Sequence, residues 1–380
     1  MPDLSASALG VLHHYAHYMV ASIEDLDLRV LESRGFLYVP GFASEDECTA
    51  LADTWRRTNT SYVPVHRLPR AELGSSTLPA KYDELQRRIM RETSIQPDSP
   101  LDSGEFYYTH KDLPTAGENF GEGPFEGWHQ DHDYWLRLER YHYLNFHLTI
   151  EKESPEDANF GLVPIDGAAQ MMPEIPLAGG AARELAPSQL VKDVFGLPVP
   201  DWAAHVYVDQ SDGRLFPIRD VTTLAEVPKL RAGDLIIFRG DVLHSRLPFS
   251  SYRLTMSMRT SASTSLVTAS SLLNGVPRKW GTPIFVGWGS AVFAWMKVLR
   301  APALTSGSIT ALQAAYHKGE LASLRKTAHF LLRCKEPPES LSMFTVLSTN
   351  ARFQTWRFLF RSYVYLRRHF LESFVENGPS

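Results

Sequence analysis

The chain has 380 residues, of which 44% are hydrophobic and 21% charged, and its formal net charge is −5. That length and apolar content imply a substantial core and exclude a disordered chain, and the slight acidic balance excludes a basic nucleic-acid binder. Two cysteines, Cys48 and Cys334, are too few for a disulfide scaffold and fit a reducing compartment, so the cytoplasm is the expected location. The stretch 9–22 is interrupted by His13, His14 and His17 and no basic segment precedes it, so no secretory signal is read there. The apolar, uncharged run Trp280–Met296 falls short of the roughly 20 residues that a membrane span needs.

In chain order, IEDLDLRVLESRG (23–35) predicts an amphipathic helix ended by Gly35. FLYVPGF (36–42) reads as a short strand. A helix follows, with Ser44 as N-cap and Glu47 as its capping-box partner. The region 60–127 is mixed and rich in Pro, Gly and Ser, with a helix near 80–93 and a strand at FYYT (106–109). From 143 to 150 the chain alternates: Leu144, Phe146, Leu148 and Ile150 share one face, and Asn145, His147 and Thr149 the other. GDLIIF (233–238) is a strand opened by a Gly-Asp turn, and RLTMSMR (253–259) alternates again. Such strands, separated by turns with few helices between them, predict a mainly β antiparallel sandwich or jelly roll. From about residue 288 the spacing becomes helical, which divides the chain into 1–287 and a helical C-terminal extension, 288–380. The aromatic, arginine-rich helix 351–371 is expected to pack its rings on the core and solvate its arginines, the alternatives being a membrane surface or an anionic substrate.

Chemistry concentrates in GWHQDHDYW (127–135). His129 and Asp131 are two positions apart, and on a strand such side chains leave the same face and reach one metal. His244, following the 233–238 strand, is placed to add a second imidazole. Two histidines and a carboxylate form the facial triad of non-haem Fe(II) oxygenases, leaving positions open for a co-substrate and O2. His110-Lys111-Asp112 repeats the short pattern, but it runs into a loop. Arg253 opens the next strand. Its planar guanidinium suits a carboxylate such as the far end of 2-oxoglutarate, and Thr255 and Ser257 share its face. Asn145, His147 and Thr149 are either the inner wall of a polar cavity, where Asn145 joins the candidate co-substrate contacts, or the solvent side of the sheet. Asp102, Glu105 and Tyr107 are further pocket candidates that nothing selects over ordinary surface.

Four blocks, GFLYVPGFASEDEC, WHQDHDYW, GDLIIFRGDVLHS and YRLTMSMR, together resemble the phytanoyl-CoA dioxygenase family over residues 23–260. The resemblance implies a double-stranded β-helix, a cupin-like jelly-roll variant, carrying Fe(II) and using 2-oxoglutarate and O2. It implies iron ligands at His129, Asp131 and His244, a 2-oxoglutarate arginine at Arg253, and co-substrate contacts at Gln130 and His147. The loop between His244 and Arg253 is shorter than is usual in the family, so Arg259 is the alternative for the arginine's role. ANFGLVPIDGAAQ (158–170) keeps Asn159, Gly161 and Pro164 of a family loop but not its ending. Related halogenases lack the carboxylate, so Asp131 points to hydroxylation or another oxidation of a small molecule rather than halogenation. The rival expectations are a cupin-type metal-dependent hydrolase or isomerase, which needs no Arg253, and a binding module with a vestigial metal site. Neither nucleic acid nor a membrane span is expected among its partners.

Overall fold

The computed structural model describes residues 23–60, 65–74, 77–101, 103–109, 128–130, 141–156, 160–171, 183–195, 198–209, 215–246, 252–264, 266–268 and 303–305. The strands are β1 (Phe36–Val39), β2 (Val65–Pro69), β3 (Ser103–Thr109), β4 (Leu144–Lys152), β5 (Phe160–Val163), β6 (Arg183–Pro187), β7 (His205–Asp209), β8 (Leu215–Ile218), β9 (Leu235–Arg239), β10 (Leu243–Arg246), β11 (Arg253–Thr260), β12 (Leu266–Thr268) and β13 (Ala303–Thr305). The α-helices are α1 (Val30–Ser33), α2 (Glu45–Thr58), α3 (Leu78–Glu92), α4 (Ile165–Met171) and α5 (Ser188–Phe195).

The chain divides into two compact units. One comprises the described parts of Met1–Gln130, Arg140–Ala178 and Ile218–Ala262. It contains a six-stranded sheet in the order β1-β9-β4-β11-β3-β2 and a two-stranded sheet, β10-β5. Every pairing in the six-stranded sheet is antiparallel, and all its neighbours except the consecutive pair β2-β3 are non-consecutive strands, as in a jelly roll. The other unit comprises the described parts of Gly179–Pro217 and Ser263–Ser380, with the sheet β6-β7-β8 and the pair β12-β13. The expected boundary near 288, Cys334 and the C-terminal helices lie outside the described residues. Among the described residues, no helix is long and apolar enough to cross a membrane.

Side-chain alternation decides which face of the six-stranded sheet is dry. Leu144, Phe146, Leu148 and Ile150 of β4 join Leu254, Met256 and Met258 of β11 and Leu235 and Ile237 of β9 in one core with α2 and α3. Tyr82 of α3 sits edge-on to Phe42 and Phe146, with ring centroids at 4.9 and 5.8 Å. On the opposite face, Phe36, Ile236 and Phe238 pack with Leu162 of β5, so the two-stranded sheet covers this side.

Local signals account for α2. Ser44 Oγ accepts from Glu47 N at 3.2 Å, and Glu47 Oε2 accepts from Ser44 N at 2.8 Å, the expected reciprocal box. Glu47 also accepts from Thr77 and Lys81, joining the cap to α3. Ser44→Ala is expected to lower unfolding free energy by about 0.5–2 kcal/mol, measured by urea denaturation.

The helix expected over 23–35 is a correction. Only a 3-10 turn at Ile23–Asp25 and the short α1 form. Asp27 Oδ1 accepts from Arg29 N at 3.1 Å, and this local bond competes with a helical turn. The buried residues Leu26, Leu28 and Leu31 do not follow a helical stripe. Gly35 has φ +86°, and a Cβ there would lie 2.5 Å from Ile165 Cδ1, so both backbone and space require glycine. β2, β5, β6, β7, β8, β10, β12 and β13 were not expected, and β5 occupies part of the segment read as a loop.

Candidate metal centre

β9 leads into a tight turn that presents His244. Val242 N donates to Arg239 O at 3.1 Å, closing Arg239–Val242. Gly240 N donates to Tyr143 O at 3.0 Å. A Cβ on Gly240 would lie 2.4 Å from Tyr143 Cδ1, so the turn is built for glycine. Asp241 is pinned by Arg239 through Nε to Oδ1 at 3.0 Å and Nη2 to Oδ2 at 2.5 Å. Arg239 Nη1 also donates to Leu31 O and Glu32 O, at 3.1 and 2.7 Å.

His244 follows on β10 and is buried. Its Nδ1 lies 3.0 Å from the Val242 carbonyl, which only accepts, so Nδ1 carries the proton and the Nε2 lone pair is left for a ligand. His129 forms an isolated antiparallel bridge with His244, each amide donating to the other's carbonyl at 2.9 Å. Directly opposed residues of such a bridge project from the same side. The imidazole centroids are 4.4 Å apart. The structure thus brings together two histidines that are far apart in the chain. Asp131 and the His110-Asp112 pair lie outside the described residues. Among the described residues, no group of three His, Cys, Asp or Glu side chains forms a metal cluster.

Gln130, expected to touch co-substrate, is fully buried, and its Nε2 donates to Asp241 O at 2.7 Å.

The facing wall comes from β4 and β11. Thr149 opposes Thr255, His147 opposes Ser257 and Asn145 opposes Arg259. Asn145, His147 and Thr149 are all buried, which excludes the solvent-side alternative. A register shift between Leu254 and Thr255 interrupts this ladder just after Arg253, and such irregularities re-aim neighbouring side chains. Arg253 is 2% exposed, with its guanidinium 5.0 Å over the Phe160 ring. Phe160 also meets His147 edge-on at 4.5 Å and lies 6.4 Å from His244. Burial, followed by the charges of Arg253 and Arg259, holds the His147 pKa well below the ordinary imidazole value, so this ring is neutral.

The two candidate arginines differ in their surroundings. Arg259 pairs with Glu105, donates to Tyr107 Oη at 2.8 Å and donates from Nε to Asn145 Oδ1 at 3.1 Å. Ser257 Oγ donates to the same Asn145 oxygen at 2.6 Å. Glu105 and Tyr107 are therefore Arg259's anchors, a role that no local sequence signal distinguished; Asp102 lies outside the described residues. Arg253 shares its strand face with Thr255.

The donor set fits iron and 2-oxoglutarate. Neutral imidazoles suit Fe(II). His147 Nε2, Thr149 Oγ1 and Thr255 Oγ1 are buried with no hydrogen-bond partner among the described residues. Each such atom costs about 1–3 kcal/mol if left dry and unpaired, so this wall is suited to a polar ligand. Sequence reasoning missed Arg239, Asp241 and Phe160. The first two carried a faint signal, a charged pair flanking a glycine after a strand, whereas Phe160 carried none.

No protein-family model matches the chain, and no curated protein matches it. Among solved structures, the chain is similar to HygX from Streptomyces hygroscopicus with nickel and 2-oxoglutarate bound, at 17% identity over 64% of this chain and 88% of that one, with a TM-score of 0.38. It is similar to EvdO2 from Micromonospora carbonacea var. aurantiaca complexed with 2-oxoglutarate, at 18% identity over 69% of this chain and 98% of that one, with a TM-score of 0.38. It is also similar to a Pseudomonas putida prolyl-4-hydroxylase, at 16% identity over 62% of this chain and 96% of that one, with a TM-score of 0.34. Identities and TM-scores this low assign no activity to this chain.

Proposed function

We propose that this protein is a non-haem Fe(II)- and 2-oxoglutarate-dependent oxygenase of the phytanoyl-CoA dioxygenase type, built on a double-stranded β-helix. In this reading residues 1–287 form the catalytic domain and 288–380 its helical extension. His129, Asp131 and His244 hold the iron. Arg253 binds the far carboxylate of 2-oxoglutarate, with Thr255 beside it and His147 and Asn145 along the same wall.

The supporting observation is convergence. His147, His244 and the buried Arg253 guanidinium lie around Phe160, and His129 stands beside His244. When bound, iron and 2-oxoglutarate supply O2-driven oxidation of a C–H bond in a small organic substrate, with release of succinate and CO2. The chain's own residues supply orientation and dryness. Val242 sets the tautomer of His244. Arg253 offers a planar fork that fixes a carboxylate in two directions. Thr149, Thr255 and His147 offer uncharged hydrogen-bonding groups beside it. Phe160 and Phe238, the latter 4.8 Å from His244, keep bulk water from the ligand pair. Asp131 at the carboxylate position favours hydroxylation over halogenation, because a third protein ligand leaves no place for chloride.

A buried arginine over Phe160, the ring that also meets His147, favours this reading over a cupin-type hydrolase, which needs no such cation; turnover without O2 would select the hydrolase. Full function after replacing His244 would select the binding module. The deciding experiment adds Fe(II) and 2-oxoglutarate anaerobically to the metal-free protein. A weak visible charge-transfer band is expected in the wild type and none in His129→Ala. A wild type without the band, or a variant that keeps it, overturns the proposal.

A further inference from the structure

We infer that Gln130 is a positioning residue whose amide ties the His129 segment to the turn presenting His244, so that the two imidazoles are held side by side before metal arrives. This rests on the iron-site reading above, and it replaces the co-substrate contact that the sequence suggested for Gln130.

Its basis is mechanical. His129 and His244 are joined by a single isolated bridge of two backbone hydrogen bonds. It is the one rung between these two segments among the described residues, and a single rung fixes their relative orientation less firmly than a ladder does. The Gln130 Nε2 bond to Asp241 O adds a third attachment beside that rung. The acceptor sits on a rigid base: Arg239 holds the Asp241 carboxylate with two hydrogen bonds, and its guanidinium lies 4.2 Å over the Tyr141 ring. Gly240 N fastens the same turn to Tyr143 O. Gln130 is fully buried, so water does not compete for its amide. Groups that orient metal ligands without touching the metal change affinity by about 10- to 100-fold when removed.

The test titrates the metal-free full-length protein with Co(II) under anaerobic conditions, reading the visible Co(II) bands and, separately, the melting temperature of the apo protein. Gln130→Met keeps volume and removes the donor. The expected result is an apo melting temperature within a few degrees of wild type and a Co(II) Kd weakened by about 10- to 100-fold. A folded Gln130→Met with a wild-type Kd overturns the inference while leaving the oxygenase reading intact. A wild type that binds no Co(II) overturns both. If Gln130→Met does not fold, Gln130→Asn, whose amide is one methylene too short to reach Asp241 O, is measured in the same way. If neither variant folds, Gln130 is a fold-determining residue and the inference fails.

Discussion

Arg253→Ala is expected to raise the KM for 2-oxoglutarate by about 30-fold or more, while Co(II) binding by the metal-free protein changes little. Truncating one partner of a buried, hydrogen-bonded charge pair costs about 2–5 kcal/mol, and each 1.4 kcal/mol is about tenfold. The guanidinium is buried over Phe160, so the contact is protected from screening by water and salt. Arg253→Lys keeps the charge but loses the planar fork, and an intermediate KM is expected. Arg259 is already engaged by Glu105, Tyr107 and Asn145, so Arg259→Lys is expected to act on stability more than on 2-oxoglutarate. Succinate release measured against 2-oxoglutarate concentration separates the two. A normal KM in Arg253→Ala together with a raised one in Arg259→Lys would move the carboxylate site to Arg259.

Asp241→Ala is expected to destabilise the protein by about 3–5 kcal/mol, because it leaves a buried guanidinium without its carboxylate. The Arg239 and Asp241 side chains are 4% and 0% exposed, so solvent cannot take over the lost contact. Arg239 retains its bonds to Leu31 O and Glu32 O, but carbonyls do not neutralise a full charge. The double variant Arg239→Met/Asp241→Leu removes both charges and is expected to recover much of the loss. Urea denaturation of the three variants measures this. A loss below about 1 kcal/mol in Asp241→Ala, the level of an exposed pair, would refute the role assigned to burial.

Periodicity made the wall of the site legible. The period-2 pattern at 143–150 separates Leu144, Phe146, Leu148 and Ile150 from Asn145, His147 and Thr149, and the structure buries the two sets on opposite faces. The Ser44–Glu47 box was equally legible, because both halves of a cap lie within one helical turn. The helix expected at 23–35 failed where a short-range Asp27 bond and the burial of Leu26, Leu28 and Leu31 outweighed helical propensity. Gln130 was assigned by its place between two candidate ligands, yet its partner, the Asp241 carbonyl, carries no side-chain signature.

The amino-acid sequence by itself determined the alternating faces of β4 and β11, the cap of α2 and the residue types available for metal and carboxylate, because these depend on neighbours a few positions apart. Only the tertiary structure decided that His129 pairs with His244, that Phe160 meets both His147 and Arg253, and that Arg259 is paired with Glu105. Those contacts join segments far apart along the chain, and their register is set by cross-strand hydrogen bonding and core packing, which no local pattern encodes.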